Sequence, residues 1–375
     1  MKVVIAAAGT GGHINPGLAI AKRICEYDPN SQIVFFGTDR GLENTLVPKA
    51  GYGLEHIKAW GLKKEISITN FKHMLETWSS KFKVKKYLQE FKPDIVIGTG
   101  GYICGPVISA AVSLGIPTML HESNAYPGTA VSMYAPKVDC VMVGFEETIK
   151  RLPKAKKCIY TGTPTNIKKI DVSDKQKQTI LNEMNLKSDM PIVLIFGGSQ
   201  GAKVINDAVI NLLKNKLNKT YQIIWATGPN QFDIVKDELA KDSIDINNIE
   251  NAKILPYIYN MEELMNISDL LVCRSGAMTC TEVCIVGKPC IFVPLPSISA
   301  NRQEDNARVL EKIDSARVIL NNELTFENLS QTIDSIVNDK EKVNKMGQNA
   351  LQLATYNVQD KIFDEICKLL KIENK

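Results

Sequence analysis

Val3-Val4-Ile5-Ala6-Ala7-Ala8-Gly9-Thr10-Gly11-Gly12-His13 opens the chain, and Ile192-Val193-Leu194-Ile195-Phe196-Gly197-Gly198-Ser199-Gln200-Gly201 repeats the arrangement at mid-chain. In both, a short apolar run breaks into glycines and a helical pattern follows. That is the start of a unit in which a buried strand feeds a helix through a tight turn. Outward from the first stretch, apolar runs at residues 32–37, 94–98, 118–121 and 140–143 alternate with helical patterns at 16–27, 42–50, 71–91 and 105–114. Outward from the second, runs at 221–226, 253–255, 270–273 and 290–293 alternate with helices at 202–217, 261–267, 277–286 and 303–312. Such alternation predicts parallel sheets built of right-handed crossovers.

Each half has its own opening, so the reading is α/β with two Rossmann-like domains rather than one long sheet. A length of 375 residues suits two cores. Thr163-Pro164-Thr165-Asn166 breaks regular structure and a polar stretch follows, which predicts domains at residues 1–162 and 163–355. Ile362, Phe363, Ile366, Leu369 and Leu370 recur at helical spacing, so residues 356–375 are expected to form an amphipathic helix packing back on the first domain.

Composition narrows the function. Net charge is +4, too small for a bulk polyelectrolyte role, and no RNA-module motif is present; no nucleic-acid partner is expected. Nine cysteines without a C-x-x-C pair read as buried free thiols in a reducing compartment. Cys280 and Cys284 are four apart with no histidine nearby, so no metal site is assigned. The first apolar run is too short for a signal-peptide core, and the run at 107–120 is shorter than the roughly 18–20 residues that span a bilayer.

The turns carry the candidate chemistry. Glycines let backbone approach a ligand, and a helix N-terminus offers N–H donors and the positive end of a dipole. Thr10, Gly11 and Gly12 form such a turn, with His13 at the helix mouth, where an imidazole can accept a proton near neutral pH. The order is not G-x-G-x-x-G, which speaks against a nicotinamide cofactor. The turn at 197–201 resembles a diphosphate cradle to which Ser199 and Gln200 can add side-chain bonds. At 273–279 another strand-to-helix turn precedes Glu282, a carboxylate able to accept two ribose hydroxyls or simply to stabilise its own helix. Turns at 98–102 and 121–124 sit at strand C-terminal ends, where open α/β sheets bind ligands. Between residues 58 and 86, eight lysines interleave with Trp60, Leu62, Ile66, Ile68, Phe71, Leu75, Trp78 and Phe82. That mixture suits an anionic membrane surface; an ordinary lysine face over a buried stripe is the plainer reading.

Seven ordered stretches resemble the MurG family of transferases over essentially the whole chain. They are residues 9–18 (GTGGHINPGL), 41–51 (GLENTLVPKAG), 98–106 (GTGGYICGP), 121–128 (HESNAYPG), 197–206 (GGSQGAKVIN), 273–282 (CRSGAMTCTE) and 301–307 (NRQEDNA). The resemblance implies the GT-B fold, with parallel sheets facing across a cleft. It implies a peripheral enzyme on the cytoplasmic side of the cell membrane. Its reaction would be inverting transfer of N-acetylglucosamine from UDP-N-acetylglucosamine to an undecaprenyl-diphosphate-linked acceptor, lipid I, making lipid II, with no cofactor required and a divalent cation not indicated. Ser199 and Gln200 would contact the diphosphate, with Arg274 nearby. Ile258 would sit by the uracil and Glu282 by the ribose. Ala277, Met278, Thr279, Gln303 and Glu304 would line the sugar region. Thr10, Gly11, Gly12, Tyr102 and Asn124 would frame the acceptor side. His13 is the first choice of base and Glu122 the second, with Asn124 beside them. The chain departs from the family at Asn166, where an arginine is expected, and at Ser123, where H-E-Q-N reads H-E-S-N. A divergent glycolipid synthase using another UDP-sugar, a weakly active UDP-sugar-binding regulator, and an epimerase of the same architecture stay open on these residues.

Overall fold

The computed structural model describes residues 1–61, 68–296 and 301–373. Leu62, Lys63, Lys64, Glu65 and Ile66 of the basic and aromatic stretch lie outside the described residues, as do the side chains of Ile68 and Phe71. The chain forms two compact units. The first is Met1–Thr165 with Thr355–Lys375, and the second is Asn166–Ala354. The sequence reading divided the chain at 162/163 and 355/356; the structure divides it at 165/166 and 354/355.

The first unit holds strands β1 (Lys2–Ala6), β2 (Gln32–Gly37), β3 (Gly53–His56), β4 (Ile95–Gly98), β5 (Thr118–Glu122), β6 (Cys140–Val143) and β7 (Cys158–Tyr160). They lie in the order β3-β2-β1-β4-β5-β6-β7, and each pairing is parallel. Successive side chains of a strand face opposite ways. Val4, Ala6 and Ala8 therefore enter one core with Val84, Leu88 and Val107, while Val3, Ile5 and Ala7 enter another with Ile14, Ile20 and Ile24. Helices cover both faces, which is why the strands read as unbroken apolar runs.

The second unit holds β8 (Ile192–Phe196), β9 (Gln222–Ala226), β10 (Ala252–Leu255), β11 (Leu270–Cys273), β12 (Cys290–Phe292) and β13 (Ala316–Val318), in the order β10-β9-β8-β11-β12-β13, again all parallel. In both sheets the order reverses beside the first strand of the unit, between β1 and β4 and between β8 and β11. The C-terminal ends of those strands are the natural ligand positions of an open α/β sheet.

The terminal helix Val358–Leu370 belongs to the first unit. Ile362, Phe363 and Ile366 are buried among Ile14, Ile20 and Ile24, with Leu369 and Leu370 half-buried at the margin. Arg23 clamps it, bonding Asp360 at 2.6 Å and lying 4.5 Å over the Phe363 ring.

Sequence reading missed β3, β7 and β13. All three are short edge strands, and β3 (Gly-Leu-Glu-His) alternates too weakly to be read as a strand. It also started the first helix at residue 16. The helix begins at Gly11 and tolerates Pro16 in its second turn, so the glycines and His13 form its first turn.

Candidate functional site

In the first unit three loops meet at the β1/β4 reversal. Gly9 turns the chain out of β1 at φ +97°, a left-handed conformation that favours glycine. Thr10 caps the helix Gly11–Tyr27 in extended conformation, and its carbonyl accepts from His13 N at 3.0 Å and Ile14 N at 3.2 Å. His13 is half-buried in that turn. Its Nδ1 lies 3.2 Å from the Ala8 carbonyl, and a carbonyl can only accept, so Nδ1 carries the proton. In the neutral ring the lone pair is then on Nε2.

The loop after β4 makes room for this ring. Thr99 Oγ1 donates to the His13 carbonyl at 2.7 Å. Gly100 and Gly101 have φ +121° and +81°; a Cβ on Gly100 would lie 2.4 Å from His13 Cδ2, and one on Gly101 2.8 Å from the Ala8 carbonyl oxygen. Only two glycines let this loop lie flat against the imidazole. Tyr102 follows, half-buried against the core.

The loop after β5 is organised by Glu122, which is buried. Oε1 accepts from the backbone and side-chain nitrogens of Asn124, both at 2.9 Å, and Oε2 accepts from Gly128 N at 2.6 Å. With both oxygens engaged by N–H donors, the carboxylate holds the Asn124 loop in shape. Its neighbour His121 is fully buried, donating Nε2–H to the Gly162 carbonyl at 3.0 Å and facing Ser123 Oγ with Nδ1 at 3.3 Å. Burial pushes its proton affinity down, against the Gly162 bond and the Glu122 charge.

In the second unit the turn after β8 places Ser199 and Gln200 in solvent at the start of the helix Lys203–Lys214. This turn interlocks with the one after β9. A Cβ on Gly201 (φ +76°) would sit 1.9 Å from the Thr227 carbonyl oxygen, and one on Gly228 (φ +89°) 2.4 Å from Gly201 N. Gln200 Oε1 also accepts from Asn230 Nδ2 at 3.1 Å. After β10, Ile258 is buried between exposed Tyr257 and Tyr259, whose rings meet edge-on at 5.0 Å.

After β11, Gly276 caps the helix Ala277–Val286. Ala277 is buried; Met278, Thr279 and Glu282 are half-buried, and Glu282 stands in the second turn. Ser275 ties this turn to the helix Arg302–Lys312: its hydroxyl donates to the Gln303 carbonyl at 2.7 Å, and its own carbonyl accepts from Asn306 Nδ2 at 3.2 Å. Gln303 Oε1 accepts from Leu295 N at 2.9 Å, and Glu304 pairs with Arg308 at 3.2 Å. Arg274 spends Nη1 on the carbonyls of Val293 and Pro294 and on Asn321 Oδ1 at 2.8–3.1 Å, and burial pushes its pKa down. Lys203 pairs with Asp207 at 2.6 Å and Asn166 is exposed. Among the described residues no group of three or more His, Cys, Asp or Glu is placed to hold a metal ion.

Residues 3–143 match the glycosyltransferase family 28 N-terminal domain, and residues 192–362 match the family 28 C-terminal domain. The chain belongs to glycosyltransferase family 28. It is 38% identical, over 99% of both chains, to the UDP-N-acetylglucosamine--N-acetylmuramyl-(pentapeptide) pyrophosphoryl-undecaprenol N-acetylglucosamine transferase of Acetivibrio thermocellus. It is 39% identical to the enzyme of that name from Thermoanaerobacter sp., again over 99% of both chains. The crystal structure of Acinetobacter baumannii MurG superposes with a TM-score of 0.78 at 28% identity, covering 98% of this chain and 99% of that one.

Within this family 28 chain, the sequence-named residues fall on two loop clusters, one per unit. Thr10, Gly11, Gly12, His13, Tyr102, Glu122 and Asn124 follow adjacent strands of the first sheet. Ser199, Gln200, Ile258, Arg274, Ala277, Met278, Thr279, Glu282, Gln303 and Glu304 follow strands of the second. The sequence reading gave no role to four groups that hold the loops in place: Glu43, Ser275 and Asn306, which lie inside the quoted stretches, and Asn321, which lies outside them. In the folded unit Gly37 and Gly41 leave space for the Glu43 side chain.

Proposed function

We propose that this family 28 enzyme transfers N-acetylglucosamine from UDP-N-acetylglucosamine to the muramyl C4 hydroxyl of lipid I, giving lipid II with inversion at the sugar C1. The observation that carries the reading is likeness over 99% of the chain to enzymes bearing that name. The placement of every motif at the C-terminal ends of the two sheets supports it.

In this mechanism the acceptor oxygen attacks C1 from the face opposite the diphosphate. The C1–O bond breaks, UDP leaves with the bonding pair, and the hydroxyl proton passes to Nε2 of His13. Such a base contributes about 10²–10⁴-fold. First-turn N–H groups of the helix Lys203–Lys214, with Ser199 and Gln200, meet the charge growing on UDP; fixed dipoles do this without reorganising. Glu282 takes the ribose hydroxyls and Ile258 lies by the uracil. Ala277, Met278, Thr279, Gln303 and Glu304 take the sugar. Glu122 shapes the Asn124 loop rather than moving the proton, and Arg274 braces the loop after β12 rather than reaching the diphosphate. No cofactor is needed in this scheme, so chelation with EDTA should leave the rate unchanged.

The enzyme works from the anionic cytoplasmic face of the membrane, docked by the helix Ile68–Phe91. Leu75, Trp78 and Phe82 form an exposed stripe there, 47%, 62% and 56% accessible, with exposed Lys72, Lys83 and Lys86 around it. No helix among the described residues is long and apolar enough to cross a membrane.

The deciding experiment incubates the enzyme with labelled UDP-N-acetylglucosamine and a lipid I analogue and separates the products. Label in a lipid II analogue is the expected result. Transfer of glucose or galactose to diacylglycerol instead, free N-acetylmannosamine without acceptor, or UDP binding with no transfer would overturn the assignment.

A further inference from the structure

One buried charge has no part in the mechanism above. Glu43 opens the helix Glu43–Lys49 and is fully buried. Its Oε1 accepts from Thr38 N at 2.9 Å and Thr38 Oγ1 at 2.8 Å, and its Oε2 accepts from Gly9 N at 2.9 Å. Burying a carboxylate is costly unless donors replace its water. Here burial pushes the carboxyl up, but the N–H groups of Gly9 and Thr38 outweigh it and hold the group below its ordinary range. The backbone is cut to fit: a Cβ on Gly41 would lie 1.9 Å from Glu43 Oε2, and one on Gly37 2.7 Å from its Cγ.

The partner of Oε2 gives this carboxylate its meaning. Gly9 N–H and the Ala8 carbonyl belong to one peptide group. The N–H donates to Glu43, and the carbonyl accepts from His13 Nδ1 at 3.2 Å. We propose that Glu43 is a positioning residue of the transferase, acting through the Ala8–Gly9 peptide to set the tautomer and orientation of His13.

A negative charge on the N–H side of an amide pushes electron density toward the far oxygen and makes that oxygen a better acceptor; hydrogen bonds in a chain strengthen one another in this way. The stronger acceptor holds the proton on Nδ1, and the bond at one ring nitrogen decides which form the other takes. The arrangement is an acid–imidazole pair of the kind that orients hydrolase histidines, with a peptide group inserted between the two. The planar trans peptide aims its N–H and its carbonyl in opposite directions, and Gly9, at φ +97°, turns the chain onward from it.

The inference rests on His13 as the base, and the test separates the two. Protein labelled with ¹⁵N-histidine has four rings to resolve, and a His13→Ala variant identifies the relevant signals. In the wild type at neutral to mildly alkaline pH, His13 is expected with a protonated Nδ1 and an unprotonated Nε2. In Glu43→Gln, whose amide turns a donor on either Gly9 or Thr38, the two ring signals should move toward a tautomer mixture. The kcat should fall about ten- to hundredfold, as for other residues that orient a ligand through an intermediate group, while the KM for UDP-N-acetylglucosamine stays within about twofold. A wild-type ring protonated on Nε2 overturns the proposal, whether or not the variant folds. So do unmoved ring signals in a folded Glu43→Gln, even if activity drops. If His13→Ala retains turnover while Glu43→Gln still shifts the ring, the base assignment fails and the relay stands.

Discussion

Among single residues, two histidines with different surroundings do different work. His13 lies in a glycine-lined slot with one nitrogen tied to backbone. His121 is sealed at the end of β5 and kept neutral by burial. In the unfolded chain His121 titrates near its ordinary 6.5, whereas the folded ring stays neutral to lower pH. Below 6.5 the unfolded state therefore binds more protons, and this residue's contribution to stability, full above that pH, is lost as the pH falls toward the folded value. The limiting slope for one proton is about 1.4 kcal/mol per pH unit. Urea unfolding of His121→Gln at pH 7.5, 6 and 5 should show a lower stability at pH 7.5 and a shallower acid decline; an unchanged slope would assign the acid sensitivity elsewhere. Glu282 makes a different prediction. Glu282→Ala should raise the KM for UDP-N-acetylglucosamine by about tenfold or more, the cost of about 1.5–3 kcal/mol for a charged hydrogen bond, with little change in kcat. A normal donor titration would remove Glu282 from the ribose.

At the scale of elements, the helix Ile68–Phe91 has two apolar stripes on opposite faces. Val84 and Leu88 point into the unit and are buried, while Leu75, Trp78 and Phe82 point out. The Trp78 and Phe82 rings meet edge-on at 5.0 Å, forming one aromatic ridge. A solvent-facing side normally carries polar residues, and this second stripe is the feature on which the proposed membrane docking rests. Its base is braced: Arg40 stacks 3.5 Å over Trp60, which stacks at 3.8 Å on His73 and bonds Glu76 at 2.7 Å. Replacing both Trp78 and Phe82 with glutamate should cut co-sedimentation with anionic vesicles at least tenfold while leaving thermal stability near wild type, because neither ring is in the core. Raised salt should weaken wild-type binding, since screening acts on the lysines. Equal binding of the double variant would place the membrane contact elsewhere.

For the whole molecule, chain order and spatial order part company at the end of the sequence: the last helix completes the core of the first unit after the second has been built. Ile362→Ala should destabilise that unit by about 2–5 kcal/mol, and denaturant unfolding followed by probes in each unit should show the first transition moving and the second holding. Movement of both together would mean that the units unfold as one. What the sequence by itself determined was the local grammar. Apolar runs, glycine turns and helical spacing follow from backbone sterics and side-chain periodicity, so the two α/β units, the strand ends and the glycine-rich turns that follow them were all legible. Edge strands such as β3 were not, because a strand paired on one side needs little hydrophobic pattern. Only the tertiary structure decided which polar side chains reach the loops. Glu43 lies 34 positions from Gly9, and Ser275 28 from Gln303; no periodicity links them. Their partners are backbone groups, which every residue possesses. A hydrogen bond to backbone therefore leaves no mark in residue type on the partner's side, and it becomes visible only once the chain has folded and the distance can be measured.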